Sequence, residues 1–406
     1  MLSTIVASLF AASAVLASPT TAPAQNARTW ATPGISSFEK VAITIEPNYQ
    51  RDSCVSASTL VDGRVLWICR DTIPLKNGTL GTVAGFYASS ASWSDQLLLV
   101  APKLDSIPPE QGQKFVTTGY QYQLTQYGGD PITTPYLPFG SDLCAPGGGC
   151  ANGTRIIEWP DAAAFVTHVA LDGTTIAYLY TTLAVQGFGD TDNEPATTLY
   201  KITYTPNLDR NVLPTVEIVN ERFFPRVTYN YGSFGGVIGQ DDGLLYLWGQ
   251  TYNFGNGNTS IGLARVDLAH IEDMSAYQYY YPANNTWSSN IPSIYDPDAK
   301  VDIGGFGPTQ GTFYYSELYQ KYLFVGQSEL FAMEVSLTSA SQPEGPWTPY
   351  TAPVHLPDGD YISYSFAAHP EMSVNPAELY VSYTQTFTDN GTGVFEQPLY
   401  KLNLQL

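Results

Sequence analysis

The sequence predicts an all-β chain assembled from repeated antiparallel hairpins, and three observations carry that prediction. Beyond residue 40 there is almost no helical periodicity; only Ala269 to Tyr281 has the pattern for one short helix. A strand, a turn, and an aromatic or β-branched strand closing on small polar residues recur five times. The composition agrees: 13% of residues are charged, 13% are aromatic, and there are 35 glycines and 29 prolines.

The closing strands line up as Val65 to Thr72, Ile176 to Thr182, Leu244 to Thr251, Lys321 to Ser328 and Leu379 to Thr384. Turn motifs precede them: Asp62-Gly63, Asp172-Gly173, Asp241-Asp242-Gly243, Tyr319-Gln320 and Asn375-Pro376. Radial repetition accommodates such hairpins, each as the inner half of a four-stranded blade, so the expected fold is a single-domain, five-bladed β-propeller. A β-sandwich is the alternative; the matched length and ending of the closing strands favour the propeller. On this reading residues 41–406 are the propeller. Residues 101–158 are an insertion between the first two blades, pinned by Cys144 and Cys150.

The first residues look like an export signal. Ile5 to Leu16 is an apolar, small-residue run, and Val15-Leu16-Ala17 before Ser18-Pro19 fits a signal-peptidase site, giving a signal peptide over 1–18 and a flexible leader over 19–40. The run is too short to span a bilayer. Sequons at Asn77, Asn152, Asn258, Asn284 and Asn390, with four cysteines, suit an oxidising secretory route. The expected protein is secreted, extracellular, glycosylated and monomeric.

Charge excludes partners. The 406 residues hold 37 acidic and 17 basic side chains, a formal net charge of −20. Such a chain repels a phosphate backbone and an anionic membrane surface, so neither nucleic acid nor membrane is an expected partner. No G-x-S-x-G elbow, H-E-x-x-H helix, Walker A loop or dinucleotide fingerprint is present. Low charge and 29 tyrosines instead suit a neutral glycan, met by stacking and hydrogen bonding.

The first hairpin concentrates the chemistry. Opposed residues of an antiparallel pair have a constant index sum, and both Cys54 with Cys69 and Asp52 with Asp71 sum to 123. If Cys54 bonds Cys69, the two aspartates lie opposite one another on the same face, one step along. A two-residue turn at Asp62-Gly63 would require a sum of 125, so a wider loop is implied. Opposed carboxylates repel and push one pKa up, a functional signature; the alternative is that one Asp points to solvent or pairs with Arg51 or Arg70. Trp159-Pro160-Asp161 stands at the matching entrance of the second hairpin, which brings Asp161 to the same mouth and offers Trp159 as a sugar platform. Ser233 to Gly236 and Thr309 to Thr312 hold the next two entrances and carry no acid. Asp190 to Glu194 is acidic but lacks the spacing of a calcium loop.

Arg51-Asp52, the Val61-Asp62-Gly63-Arg64 turn, Trp67 to Thr72 and Trp159-Pro160-Asp161 together resemble the five-bladed propellers of arabinanase- and xylosidase-type glycoside hydrolases. Closer still are secreted propellers whose domain has no settled function; their order of motifs is matched by Ala264 to Trp287, Gly345-Pro346-Trp347 and Ala368 to Glu371. The resemblance spans about 50–406. It implies that Asp52 matches the general-base Asp, Asp71 the Asp of a Gly-Asp-Thr-like element, and Asp161 the Asp of the second-blade Trp-Pro-Asp. The third-blade Asp and fourth-blade Glu of that pattern are missing from their strand starts; Glu317 sits beside a turn instead. The resemblance further makes His369 a channel residue that holds a calcium ion or water, with no cofactor otherwise required. It implies hydrolysis of arabinan- or xylan-like polysaccharide by two carboxylates. The alternatives are a catalytically silent glycan binder and a surface interaction protein using a Tyr-rich rim.

Overall fold

Each turn motif named above closes an antiparallel hairpin. Cys54–Ser56 pairs Arg64–Cys69, and Phe165–Val169 pairs Thr175–Gln186. Gly235–Ile238 pairs Leu245–Gln250, Gly311–Ser316 pairs Lys321–Gln327, and Ser363–His369 pairs Glu378–Asp389. Local chemistry sets the reversals: Gly63, Gly173 and Gly243 take φ of 79°, 85° and 70°, a left-handed region that costs glycine nothing. The first loop is indeed wide, with the Leu60 amide bonded to the Arg64 carbonyl.

The computed structural model describes residues 31–58, 60, 62–75, 85–97, 101–109, 119–129, 131–140, 153–186, 195–251, 260–307, 309–328, 331–389 and 392–405. Thr32–Leu406 form one compact unit; of Met1–Ala31 only Ala31 is described. The expected signal peptide, the Cys144 and Cys150 pair, the Asp190 to Glu194 loop and the sequons at Asn77, Asn152, Asn258 and Asn390 therefore lie outside the described residues. Asn284 is described, and it is exposed in the turn joining Gln278–Tyr281 to Thr286–Ser288.

Every hairpin gains a third antiparallel strand: Ser90–Leu97, Ala196–Tyr204, Ile261–Val266, Glu334–Ala340 and Pro398–Leu404 in turn. The fourth strands are Tyr122–Tyr127, Thr215–Phe224, Gln278–Tyr281, Val354–His355 and, for the last hairpin, Ile35–Ile45 from the other end of the chain. That N-terminal strand also runs parallel to Tyr122–Tyr127, with Ile43 opposite Gln123, so the first and last ladders share one sheet path.

Three expectations need correction here. The leader cannot extend to residue 40, because Ile35–Ile45 is a paired strand. Residues 101–158 are not simply an insertion: Tyr122–Tyr127 completes the first ladder, and Arg155–Trp159 pairs Thr175–Gln186. The segment from Ala269 to Tyr281 forms two single 3-10 turns, Leu268–His270 and Met274–Ala276, followed by the strand Gln278–Tyr281. Asp267 and Asp273 cap the starts of those turns through their side chains, and Tyr277, in extended conformation, ends the second.

Packing between neighbouring ladders forms the cores. Trp248 and Phe313 stack at 3.9 Å with an interplanar angle of 1°, joining the third hairpin to the fourth, and Phe324 and Trp347 complete their cluster. Trp93, Leu179 and Tyr200 join the first ladder to the second. A further cluster gathers Tyr180, Phe224, Tyr231, Tyr277 and Tyr279. The tyrosines thus belong largely to the core rather than to a rim, and several hydroxyls find partners there: Tyr180 and Tyr277 share a hydrogen bond of 2.7 Å, and Tyr277 donates to the Ile271 carbonyl at 2.7 Å, while the buried Tyr231 hydroxyl has no hydrogen-bond partner among the described residues. Truncating Trp248 to Ala should cost about 3–5 kcal/mol, because it removes a fully buried indole from a packed junction. Chemical denaturation of the variant against the native chain measures this; a loss below about 1 kcal/mol would mean the junction is not a core.

Candidate functional site

The first hairpin has the predicted register. Cys54 lies opposite Cys69 and is disulfide-bonded to it, and Arg51 lies opposite Thr72. Between them the ladder breaks. Ser53 takes a φ of 50°, and the Arg70 amide donates to both the Asp52 and Ser53 carbonyls at 3.0 Å. The Asp52 amide still bonds the Asp71 carbonyl at 2.9 Å, so the two aspartates are opposed in the backbone.

Their side chains are not a bare repelling pair. Asp71 receives Arg155 on both oxygens, at 3.1 and 2.8 Å, and the Trp159 indole N–H at 3.2 Å. Asp161 forms an ion pair with Arg70. Arg70 and Arg155 lie 5.2 and 5.8 Å from the centre of the Trp159 ring, so the proposed sugar platform is flanked by two guanidinium groups. Arg51 points elsewhere, donating to Ser92 at 2.6 Å and Gln126 at 2.7 Å.

Asp52 is the carboxyl left without a contacting cation. It is 8% exposed and accepts from the Ser53 hydroxyl and, at 3.2 Å, from Thr384; Tyr364 also donates to it. Burial pushes its pKa up, and the nearby Arg70 charge pulls part of that back. Opposite-strand repulsion from Asp71 is a minor contribution. The last hairpin closes the ring of contacts: Ser365, with φ 60°, bonds the Ser53 hydroxyl and meets Gln310 from the fourth entrance.

Sequence reasoning brought Asp52, Asp71, Trp159 and Asp161 together correctly and missed Arg155, Tyr364, Ser365 and the role of Gln310. Arg155 fell inside the stretch read as an insertion. No local signal marked Tyr364; only its place at the start of an inner strand could have.

Below this mouth, a cavity of ≈ 340 Å³ is lined by residues from the inner strands of all the hairpins, among them Val55, Phe165, Val237, Phe313 and Ala368. It meets the carboxylate cluster through Asp161, with Glu371 also in its wall. His369, the expected ion ligand, spends both ring nitrogens on hydroxyls: Nδ1 on Ser56 and Nε2 on Ser382 at 2.8 Å. Burial lowers its pKa to about 3, so the ring is neutral. Among the described residues, no group of three or more His, Cys, Asp and Glu side chains is placed to hold a metal ion.

Glu371 accepts from Ser56, and burial raises its pKa to about 8. An acid with a raised folded-state pKa binds more protons folded than unfolded, so stability falls as pH rises between the ordinary glutamate value and about 8. Glu371→Gln removes that loss. Its melting temperature relative to the native chain should climb from about pH 5 to about pH 8 and level off above that in a thermal scan; a constant offset across the range would refute the assignment.

Comparison with solved structures follows this geometry. A candidate hydrolase from Bacteroides ovatus is 14% identical, with 88% of this chain and 87% of that one covered, at a TM-score of 0.58. A family 117 glycoside hydrolase from the marine bacterium Zobellia galactanivorans is 10% identical, with 91% of each chain covered, at 0.49. A GH43_1 enzyme from Xanthomonas citri, solved with xylotriose, is 10% identical, with 88% and 89% covered, at 0.43. The first match shows a common fold and, at that identity, no shared chemistry; the two lower scores carry no argument. No curated protein matches. A family model matches residues 154–399, more than half of the chain, and on that match the chain belongs to the family described as Domain of unknown function (DUF5005).

Proposed function

We propose that the chain is a secreted five-bladed β-propeller that hydrolyses arabinan- or xylan-like polysaccharide at the Asp52 mouth. The observation that carries this reading is the division of labour among its aspartates: Asp52 is buried with a raised pKa, while Asp71 and Asp161 each hold a guanidinium. Glycoside hydrolysis needs that asymmetry. One protonated carboxyl gives its proton to the departing glycosidic oxygen, and a second carboxylate either takes a proton from the attacking water or attacks the anomeric carbon. Asp52, whose burial favours the protonated form, is assigned the first role in place of the base role that the resemblance implies, and Asp71 the second. Asp161 holds Arg70 beside Asp52, where that charge favours the carboxylate once the proton has left. Trp159 has its N–H committed to Asp71, which leaves ring carbons for a sugar.

The blade count is supported by the ladders and by a cavity that their inner strands line. Export through residues 1–18, sequon occupancy, the Cys144–Cys150 bridge and a monomeric state belong to the same proposal.

One observation favours a silent glycan-binding propeller instead: Arg155 neutralises Asp71 on both oxygens, which weakens it as a base or nucleophile. A panel of arabinans, xylans and arabinoxylans separates the two. Reducing-sugar release by the native chain should fall by about 10²-fold or more in Asp52→Asn. Binding by both proteins with release by neither would overturn the hydrolase and leave the binder.

A further inference from the structure

We propose that Phe331 and Phe86 are the two sugar-stacking walls of the mouth, so that it takes a run of several sugars lying across the aspartates rather than one terminal sugar. The inference rests on the carbohydrate reading above and specifies its substrate as an oligosaccharide chain.

Both rings are exposed, Phe331 at 51% and Phe86 at 39%, in a chain that buries most of its large aromatics. A lone exposed apolar side chain is ordinary; Leu171 and Leu208 are more exposed still, and each stands in a turn or loop. These two phenylalanines differ in what they touch. Phe331 meets the Tyr364 ring edge-on at 6.2 Å, and Tyr364 donates to Asp52. Phe86 lies under the Arg155 guanidinium at 4.8 Å, and Arg155 holds Asp71. The two rings are therefore the ends of one contact chain, with Asp52 and Asp71 joined at its middle by a backbone hydrogen bond of 2.9 Å.

Backbone strain provides the second observation. Phe331 takes a φ of 66°, which is unfavourable for a bulky side chain. Such outliers cost free energy and gather where a ligand is held; Val227, with a φ of 68°, is strained and exposed in the loop bonded to Ile294, so at Phe331 it is the contact with Tyr364 that ties the strain to the mouth. A sugar ring explains it: polarised C–H bonds on its face pack against the negative face of an aromatic ring. A ligand that reaches both rings must extend along the contact chain, past both aspartates.

Calorimetry with arabino- and xylo-oligosaccharides of increasing length, in the Asp52→Asn background to prevent turnover, tests this. Affinity should rise with chain length. Phe331→Gly and Phe86→Ala should each weaken binding of the long oligosaccharides by about tenfold and leave the monosaccharide unchanged, and together they should abolish the length dependence. Phe331→Gly also relieves the backbone, so it should melt at or above its parent, which separates lost recognition from lost folding. Unchanged length dependence in a protein that binds sugars overturns this inference alone. A parent that binds no saccharide of any length overturns the carbohydrate reading, and this inference with it.

Discussion

Arg70 is the side chain on which the mouth depends. Its amide closes the ladder break at Asp52 and Ser53, its guanidinium holds Asp161 from the next ladder, and its charge acts on Asp52. Both partners of that ion pair are almost wholly buried. Burying two charges costs several kcal/mol per ion before their attraction returns it, so such a pair adds little net stability and is better understood as a device for position. Removing Arg70 would take from Asp161 a buried ion-pair partner and from Asp52 the charge that pulls its pKa down. The first hairpin and the entrance of the second are thus locked in one arrangement by electrostatics that tolerate no partial version.

The packing explains why so acidic a chain can afford so few charges inside. Cores form between ladders, not within one, and they are filled by aromatic rings, with the hydroxyls of Tyr180, Tyr277 and Tyr383 bonded to one another or to carbonyls. Tyrosine suits this duty because one side chain brings both apolar area and a polar end that finds a partner. The exposed aromatics that remain are then few enough to be informative.

What could be read from the sequence followed locality. Turn residues acting over two or three positions marked every hairpin, and a pair of cysteines set the register of the first one to the residue. Contacts across long separations were hidden. Ile35–Ile45 joins Pro398–Leu404 from the far end of the chain, so nothing nearby distinguished its first residues from a leader. Arg155 reaches Asp71 across 84 positions and changes an expected repulsion into an ion pair. The aspartates were legible as residue types at strand entrances, whereas which guanidinium folds back onto Asp71 and Asp161 depends on contacts between ladders. The resemblance made His369 an ion or water ligand, whereas its commitment to Ser56 and Ser382 depends on strands brought together only by the fold.

The two ends of the inner strands differ in a way that indicates which one works. Ser53 and Ser365, both with positive φ, bond one another beside Asp52, and Phe331 joins the same network through Tyr364. Farther along those strands, Ser56, His369 and Glu371 form a network just as buried and just as polar, and none of them has a positive φ. Burial and hydrogen bonding alone therefore do not require strain in this channel. A residue in a disfavoured conformation costs on the order of 1–3 kcal/mol, and a chain of modest net stability retains several at one place only where they set a geometry. The unstrained end satisfies its own polar groups; the strained end sets Asp52 against Ser53 and Tyr364, with Phe331 packed on Tyr364 from a neighbouring loop.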